Sequence, residues 1–413
     1  MSEKKLPVSS QRMQELAQEY PTPFHLYDEQ GIRMQARAFR EAFSWVPGFK
    51  NYYAVKACPN PAILQIMKEE GFGADCSSLP ELILANEAGM SNEDLMFTSN
   101  DTPPEEFKAA YDLGAVINLD DISHIRTLQM AAGMPSLISF RYNPGPDRTG
   151  NAIIGNPVEA KYGVTTQQLL SAYAQARDAG ATRFALHTMV ASNELDGSYI
   201  VETARMLFAQ TIRLHRELGI RLEFVNMGGG IGIPYQVDQD AMDLNQVSAG
   251  IKELYDEMIV PAGLDPLNIV FECGRMVTGP FGYLVTRVRH VTEKYKQYVG
   301  LDASMANLMR PALYGAYHHI TVVGKEDQKP TECYDVTGSL CENNDKFAID
   351  RKLPPVEPND IVVIHDTGAH GHAMGFNYNA KLRSAEYLLE SNGSVRMIRR
   401  AETIDDLFAT LHW

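Results

Sequence analysis

Four stretches of the chain carry side chains whose types and spacing suit chemistry. In Ala54-Val55-Lys56-Ala57 a lysine follows directly on an apolar run. Burial there would lower its pKa and leave an amine nucleophile, whereas a solvated lysine at a strand end is the plainer alternative. Met227-Gly228-Gly229-Gly230-Ile231-Gly232 offers backbone N–H groups that could approach a phosphate closely, although a glycine run also serves as a simple turn. Glu272-Cys273-Gly274-Arg275 joins a carboxylate to a guanidinium, either as a structural ion pair or as partners for a cationic ring nitrogen and an anionic group. Ala185, His187 and Met189 share one strand face by period two, and a lone histidine there is more often a satisfied core group than a catalyst.

Such groups act together only if the fold gathers them. Short apolar or β-branched runs begin near Asn51, Gly73, Leu95, Ala115, Ser136, Arg183, Arg221 and Asn268. Helical patterns lie between them, at 61–70, 80–88, 103–113, 122–132, 167–179, 199–218 and 247–260. Alternation of this kind predicts parallel pairing with right-handed crossovers, and eight strands close a (β/α)8 barrel over residues 31–279; an open doubly wound sheet is the runner-up. From residue 280 to 413 the runs are strand-like, with turns such as Glu357-Pro358-Asn359-Asp360, and no long helix intervenes before Ile404–Leu411. An all-β domain, sandwich or barrel, is expected there. Residues 1–30 form an N-terminal segment whose HLYDE run can add a strand to either part, the C-terminal β domain being the expected host. In a barrel the loops after the strands converge, which brings the lysine, the glycine run and the carboxylate to one mouth. Those are the parts that pyridoxal phosphate needs: an amine for a Schiff base, N–H groups for the phosphate, and a carboxylate that keeps the pyridine nitrogen protonated.

Composition narrows the setting. The 413 residues carry a formal net charge of −15, so a nucleic-acid partner is disfavoured. No stretch reaches the ~18 continuous apolar residues of a membrane helix, and no zinc or other metal spacing is evident. The five cysteines, Cys58, Cys76, Cys273, Cys333 and Cys341, are odd in number and unpaired in spacing, which suggests reduced thiols in a cytoplasmic protein.

The runs YYAVKACPNPAIL, GADCSSLPEL, GGGIGIPY, ECGR, LMRPALYGAYH, CENND and NYN, in this order, resemble the barrel-type (fold type III) pyridoxal phosphate-dependent decarboxylases. Arg310-Pro311-Ala312-Leu313-Tyr314-Gly315-Ala316-Tyr317-His318 is more similar to the diaminopimelate decarboxylases than to the ornithine decarboxylases. The resemblance implies a cofactor-binding (β/α)8 TIM barrel with a C-terminal β-barrel domain, in the alanine racemase-like arrangement, and an obligate homodimer with shared active sites. It implies that Lys56 holds the cofactor, that Asp75 supplies an acidic neighbour, that Gly228, Gly229 and Gly230 bind the phosphate, and that Glu272 pairs with the pyridinium nitrogen. Gly274 and Arg275 belong to the same cofactor motif. Arg275, Arg310 and Tyr314 would receive a distal carboxylate and Glu342 a distal ammonium. Cys341, given by the partner subunit, would return a proton to the substrate carbon.

This sequence departs from the family pattern at three places. Where the family has a ring-stacking histidine before a small Gly-Ser step, the run reads His187-Thr188-Met189-Val190-Ala191-Ser192, so the stacking position falls on Met189 and His187 lies two residues earlier. The family's Gly-Ala-Tyr becomes Gly368-Ala369-His370, and His370 could donate a hydrogen bond in its place. After Cys341-Glu342 come Asn343-Asn344-Asp345 instead of a small Ser-Gly pair. The leading expectation is decarboxylation of meso-2,6-diaminopimelate to L-lysine. The alternatives are a decarboxylase of D-ornithine, D-lysine or a carboxylated polyamine precursor, and a catalytically silent regulator of the same fold. Two arginines suit a second carboxylate.

Overall fold

The computed structural model describes residues 4–150 and 154–412. The chain divides into two compact units, Arg33–Ile233 with Ala241–Met276, and Met1–Ile32 with Pro234–Asp240 and Val277–Trp413.

A helix, Ser10–Glu19, and strand β1 (Phe24–Asp28) come first and belong to the second unit. The first unit holds β2 (Lys50–Ala54), β3 (Gly73–Cys76), β4 (Leu95–Thr98), β5 (Val116–Leu119), β6 (Leu137–Asn143), the short β7 (Val164–Thr165), β8 (Arg183–Thr188), β9 (Leu222–Asn226) and β10 (Asn268–Phe271). All pair in parallel, in the order β5-β4-β3-β2-β10-β9-β8-β6, and β5 pairs with β6 to close the ring; β7 only extends β6. Every one of the eight runs read from the sequence supplies a barrel strand. The connecting helices start on local chemistry. Asn60 accepts from Ala62 N just before Pro61, and Asp196 accepts from Ser198 N at the head of helix Gly197–Leu218, which Gly219 ends at φ 65°.

Side chains fill the barrel in layers. Tyr52, Met96, Val116, Leu137, Ala185, Phe224 and Val270, from seven strands, form a buried apolar cluster. Two residues further along their strands, Thr98, Asn118, His187 and Asn226 are buried as well, so the layer nearest the strand ends is polar. Outside the ring, helix Glu29–Ala42 and its following loop bring Phe39, Phe43 and Phe49 onto Phe271, with Phe43 stacked on Phe49 at 4.9 Å and edge-on to Phe271 at 5.2 Å.

The second unit is a branched sheet. It contains β1, β11 (Gly282–Glu293), β12 (Gln297–Leu301), β13 (Ile320–Val322), β14 (Glu332–Thr337), β15 (Lys346–Leu353), β16 (Ile361–Ile364), β17 (Ala385–Leu389) and β18 (Val395–Arg399). The path runs β15-β14-β12-β11-β1-β17-β18, and β16 leaves it by pairing with both β11 and β13. β1 is antiparallel to β11 and parallel to β17. Two elements escape the sequence pattern. KFAIDRKL over β15 does not alternate cleanly, because its register against β14 is interrupted by irregularities and Asp350 sits at φ 49°. Arg310–Tyr314, buried inside the LMRPALYGAYH motif, is a single helical turn that Gly315 ends at φ 61°.

Phe43 is fully buried among three rings, so Phe43→Ala should lower the stability of the barrel by about 3–5 kcal/mol. Urea unfolding followed by circular dichroism checks this; a loss below about 1 kcal/mol would show that the cluster repacks.

Candidate active site

In the barrel unit, Glu272 follows directly on β10 and is 6% exposed. Three strands supply its donors. Asn226 Nδ2 on β9 donates to Oε1 at 2.7 Å, Thr98 Oγ1 on β4 reaches the same oxygen at 3.5 Å, and His187 Nε2 on β8 lies 3.0 Å from Oε2. Burial alone would raise the Glu272 pKa. His187, with Lys56 and Arg141 farther off, outweighs it and holds the carboxyl below its ordinary value. Asp75 on β3 responds in the opposite direction: burial and then the charge of Glu272 push it well above the usual range, against the pull of Lys56 and Thr98. The two carboxyls, on strands separated only by β2, are thus driven apart, Glu272 toward the ionised form and Asp75 toward the protonated one.

The glycine run turns beside this pair. Asn226 Oδ1 accepts from Gly228 N at 2.9 Å, and Glu272 N donates to Gly228 O at 2.8 Å, which locks the loop to the strand ends. Gly228 has φ 69°, and a Cβ there would lie 2.2 Å from the Thr188 carbonyl oxygen. Gly230 has φ 103°, and its Cβ would meet the Ala191 carbonyl at 2.5 Å. Only glycine fits these two positions. Met189, half-buried at the rim, accepts from Gly229 N through Sδ at 3.3 Å. Gly274 is equally constrained, since its Cβ would be 2.7 Å from that of Ala57. Arg275 is buried and opens a four-residue helix, Arg275–Thr278.

Lys56 corrects one expectation. It lies in a 3₁₀ turn, Val55–Ala57, directly after β2, and it is exposed, because Val55 and Ala57 take the inward positions of that turn. Its ammonium still acts on Asp75, Glu81 and Glu272. These carboxyls share its end of the barrel.

The remaining predicted residues lie in the sheet unit. Arg310 is 2% exposed, with its guanidinium 5.1 Å from the Tyr235 ring and 5.9 Å from that of Tyr314, which is itself half-exposed. Cys341 is exposed, and its backbone N donates to Asn379 Oδ1 at 2.7 Å. Glu342 is half-buried and accepts from Asn344 N at 3.0 Å. Asp345 clamps this loop by accepting from Leu340 N at 2.8 Å and Met305 N at 2.6 Å. His370 is half-buried at φ 56°, beyond β16. Thr98 and Asn226 were missed by sequence reasoning, and Asp345 and Asn379 lay within the CENND and NYN runs without a role. For the first two the signal was available: each is a polar residue ending an apolar strand, two positions after the core residues Met96 and Phe224.

The barrel mouth fits pyridoxal phosphate on its own geometry, with a glycine cradle that a single Cβ would fill and an ionised carboxylate beside it. The sequence family described as pyridoxal-dependent decarboxylase, pyridoxal binding domain, matches residues 29–279. The chain belongs to the pyridoxal-dependent decarboxylases. Similar proteins include Protein TabA of Pseudomonas amygdali pv. tabaci, 44% identical over 97% of this chain and 94% of that protein. The diaminopimelate decarboxylase of Methanothermobacter thermautotrophicus is 35% identical over 95% of this chain and 92% of its own. Among solved structures, the Helicobacter pylori diaminopimelate decarboxylase complexed with L-lysine is 31% identical, with a TM-score of 0.86 over 96% of this chain and 98% of that one. The fold is that of the fold type III enzymes, a cofactor-binding barrel with a separate β domain, and the cofactor of this decarboxylase is pyridoxal phosphate.

Gly228→Ala should weaken pyridoxal phosphate binding by at least about tenfold, because the loop must move to release the clash at Thr188. Titration of the visible absorbance with added cofactor checks this, and an unchanged affinity would show that this turn lies outside the cofactor site.

Proposed function

We propose that this decarboxylase converts meso-2,6-diaminopimelate to L-lysine and CO2, in lysine biosynthesis in the cytoplasm. The observation that carries the reading is the buried guanidinium of Arg310, framed by Tyr235 and Tyr314 within the RPALYGAYH run. A buried fork of donors suits a substrate with a carboxylate besides the one it loses. Relatives named diaminopimelate decarboxylase support it, among them a solved structure from M. jannaschii in co-complex with L-lysine, 30% identical with a TM-score of 0.88 over 96% of this chain and 93% of that one.

When bound, the cofactor supplies a ring that accepts the electrons of the broken carbon–carboxylate bond. Lys56 would hold it through its amine, with Asp75, raised toward its protonated form, close by. Backbone N–H groups of Gly228, Gly229 and Gly230 bind its phosphate, and Glu272, Gly274 and Arg275 line it. Glu272 keeps a proton on the ring nitrogen. Met189 and His370 stand at the positions where the family has a stacking imidazole and a tyrosine hydroxyl. Arg275, Arg310 and Tyr314 orient the distal carboxylate, and Glu342 the distal ammonium. Cys341 of the partner subunit returns a proton to the substrate carbon, a step worth typically ~10²–10⁴-fold. Active sites shared in this way require a homodimer.

A second reading is decarboxylation of a different amino acid, such as D-ornithine, D-lysine or a carboxylated polyamine precursor. The 44% identity to a protein named only TabA favours it, together with Met189 and His370. Product analysis after incubating the purified, cofactor-loaded protein with meso-diaminopimelate, D-ornithine, D-lysine, L-ornithine and L-lysine separates the two. Lysine formed from diaminopimelate alone supports the first; turnover of another substrate replaces it; silence on all of them favours a regulator.

Lys56→Ala should abolish both turnover and the visible absorbance of the cofactor. Cys341→Ala should slow product formation by about 10²-fold or more while the cofactor stays bound. Mixing the two inactive variants should restore part of the activity, since one mixed site is intact. Absence of rescue, with mixed dimers shown to form, would overturn the shared site.

A further inference from the structure

The imidazole of His187 lies below the rim of the barrel, fully enclosed, with Nε2 at 3.0 Å from Glu272 Oε2. Its register partner on β6 is Arg141, whose Nε is 2.9 Å from Asp120 Oδ1, so that guanidinium is already committed to another carboxylate. Nδ1 of His187 is buried and meets no hydrogen-bond partner among the described residues. A proton on Nδ1 would be a buried N–H without an acceptor, which is costly; a proton on Nε2 points directly at an ionised oxygen. Geometry therefore places a proton on Nε2, where it donates to Glu272 and favours the ionised carboxylate.

Two further contacts define the arrangement. Asn226 holds the other oxygen at 2.7 Å, so His187 and Asn226 together set the plane of the carboxylate. Met189, two residues farther along, occupies the rim with its sulfur on Gly229 N. The charged and titratable groups facing Glu272 are His187 on β8, Arg141 on β6, Asp75 on β3, Tyr52 on β2, Lys56 after β2 and the adjoining Cys273, and Asp120 after β5 faces His187.

We propose that His187 is a positioning residue: through Nε2–H it orients the Glu272 carboxylate and keeps it ionised toward the cofactor's ring nitrogen, and it does not stack on the ring. This rests on the reading that Glu272 meets that nitrogen. It assigns His187 a role beneath the site and makes the polar layer of the barrel part of the cofactor's electronic environment.

The test uses the full chain reconstituted with pyridoxal phosphate and compares wild type, His187→Gln, His187→Asn, His187→Leu and Glu272→Gln. The readouts are the apparent cofactor dissociation constant and the visible absorbance of the bound cofactor between pH 6 and 9. His187→Leu should weaken cofactor binding by about 10–100-fold and shift the absorbance in the direction that Glu272→Gln does. His187→Gln, whose amide N–H falls where Nε2 does, should stay within about threefold of wild type, while His187→Asn, whose shorter amide cannot reach, should behave like His187→Leu. A wild-type spectrum and affinity in folded His187→Leu overturns the proposal. If His187→Leu does not fold, equal behaviour of the Gln and Asn variants overturns it, and retention by Gln alone supports it. A Glu272→Gln protein indistinguishable from wild type would instead remove Glu272 from the ring nitrogen, and the role of His187 with it.

Discussion

A buried negative charge organises the barrel mouth. Glu272 stands almost out of contact with water, and an isolated carboxylate in such a place would take up a proton. It remains ionised because donors reach it from β4, β8 and β9, and β4, which pairs with neither of the others, turns toward the same carboxylate because the sheet closes into a ring. The same Asn226 that donates to Glu272 accepts from Gly228, so the carboxylate and the glycine turn are fixed by one side chain. Asp75, one strand away past β2, is pushed toward its protonated form by burial and by the charge of Glu272. The closure of the sheet, the conformation of the loop and the protonation pattern are thus one solution to a single desolvation problem.

Much of this was legible in the sequence because barrel strands are short, apolar and separated by helices with clear starts. The runs from Asn51 to Asn268 all fall on strands, and the helix heads at Asn60-Pro61 and Asp196 follow ordinary capping chemistry. The tips of those strands are also where Lys56, Gly228 and Glu272 were read. The environment of each side chain was harder to see. Lys56 follows an apolar run yet is exposed, because the chain enters a 3₁₀ turn at Val55 and the alternation of the strand no longer applies. His187 read more readily as a satisfied core residue than as a catalyst, and which of its nitrogens is engaged depends on a partner 85 residues away.

The sheet unit was less legible for a related reason. Its pairings are irregular: β11 is long enough to pair with three other strands, β1, β12 and β16, and β15 meets β14 in an interrupted register. Alternation is a weak guide where one strand serves two sheets or bulges. The motif residues there sit in loops, Cys341 tied to Asn379 and the following turn clamped by Asp345. Those contacts depend on side chains far apart in the chain. Motif resemblance located Cys341 and Glu342, and periodicity could not have done so.

The place of β1 has a consequence for synthesis. Phe24–Asp28 lies in the interior of the sheet path, between β11 and β17, and Tyr27 donates to Glu386 at 2.5 Å across 359 residues of chain. The barrel strands lie between Lys50 and Phe271 and can assemble as soon as that stretch has left the ribosome, whereas β1 must wait for partners made near the end. Throughout translation the nascent protein therefore carries an apolar strand with both edges open, and the last strands delivered are the ones that cover it.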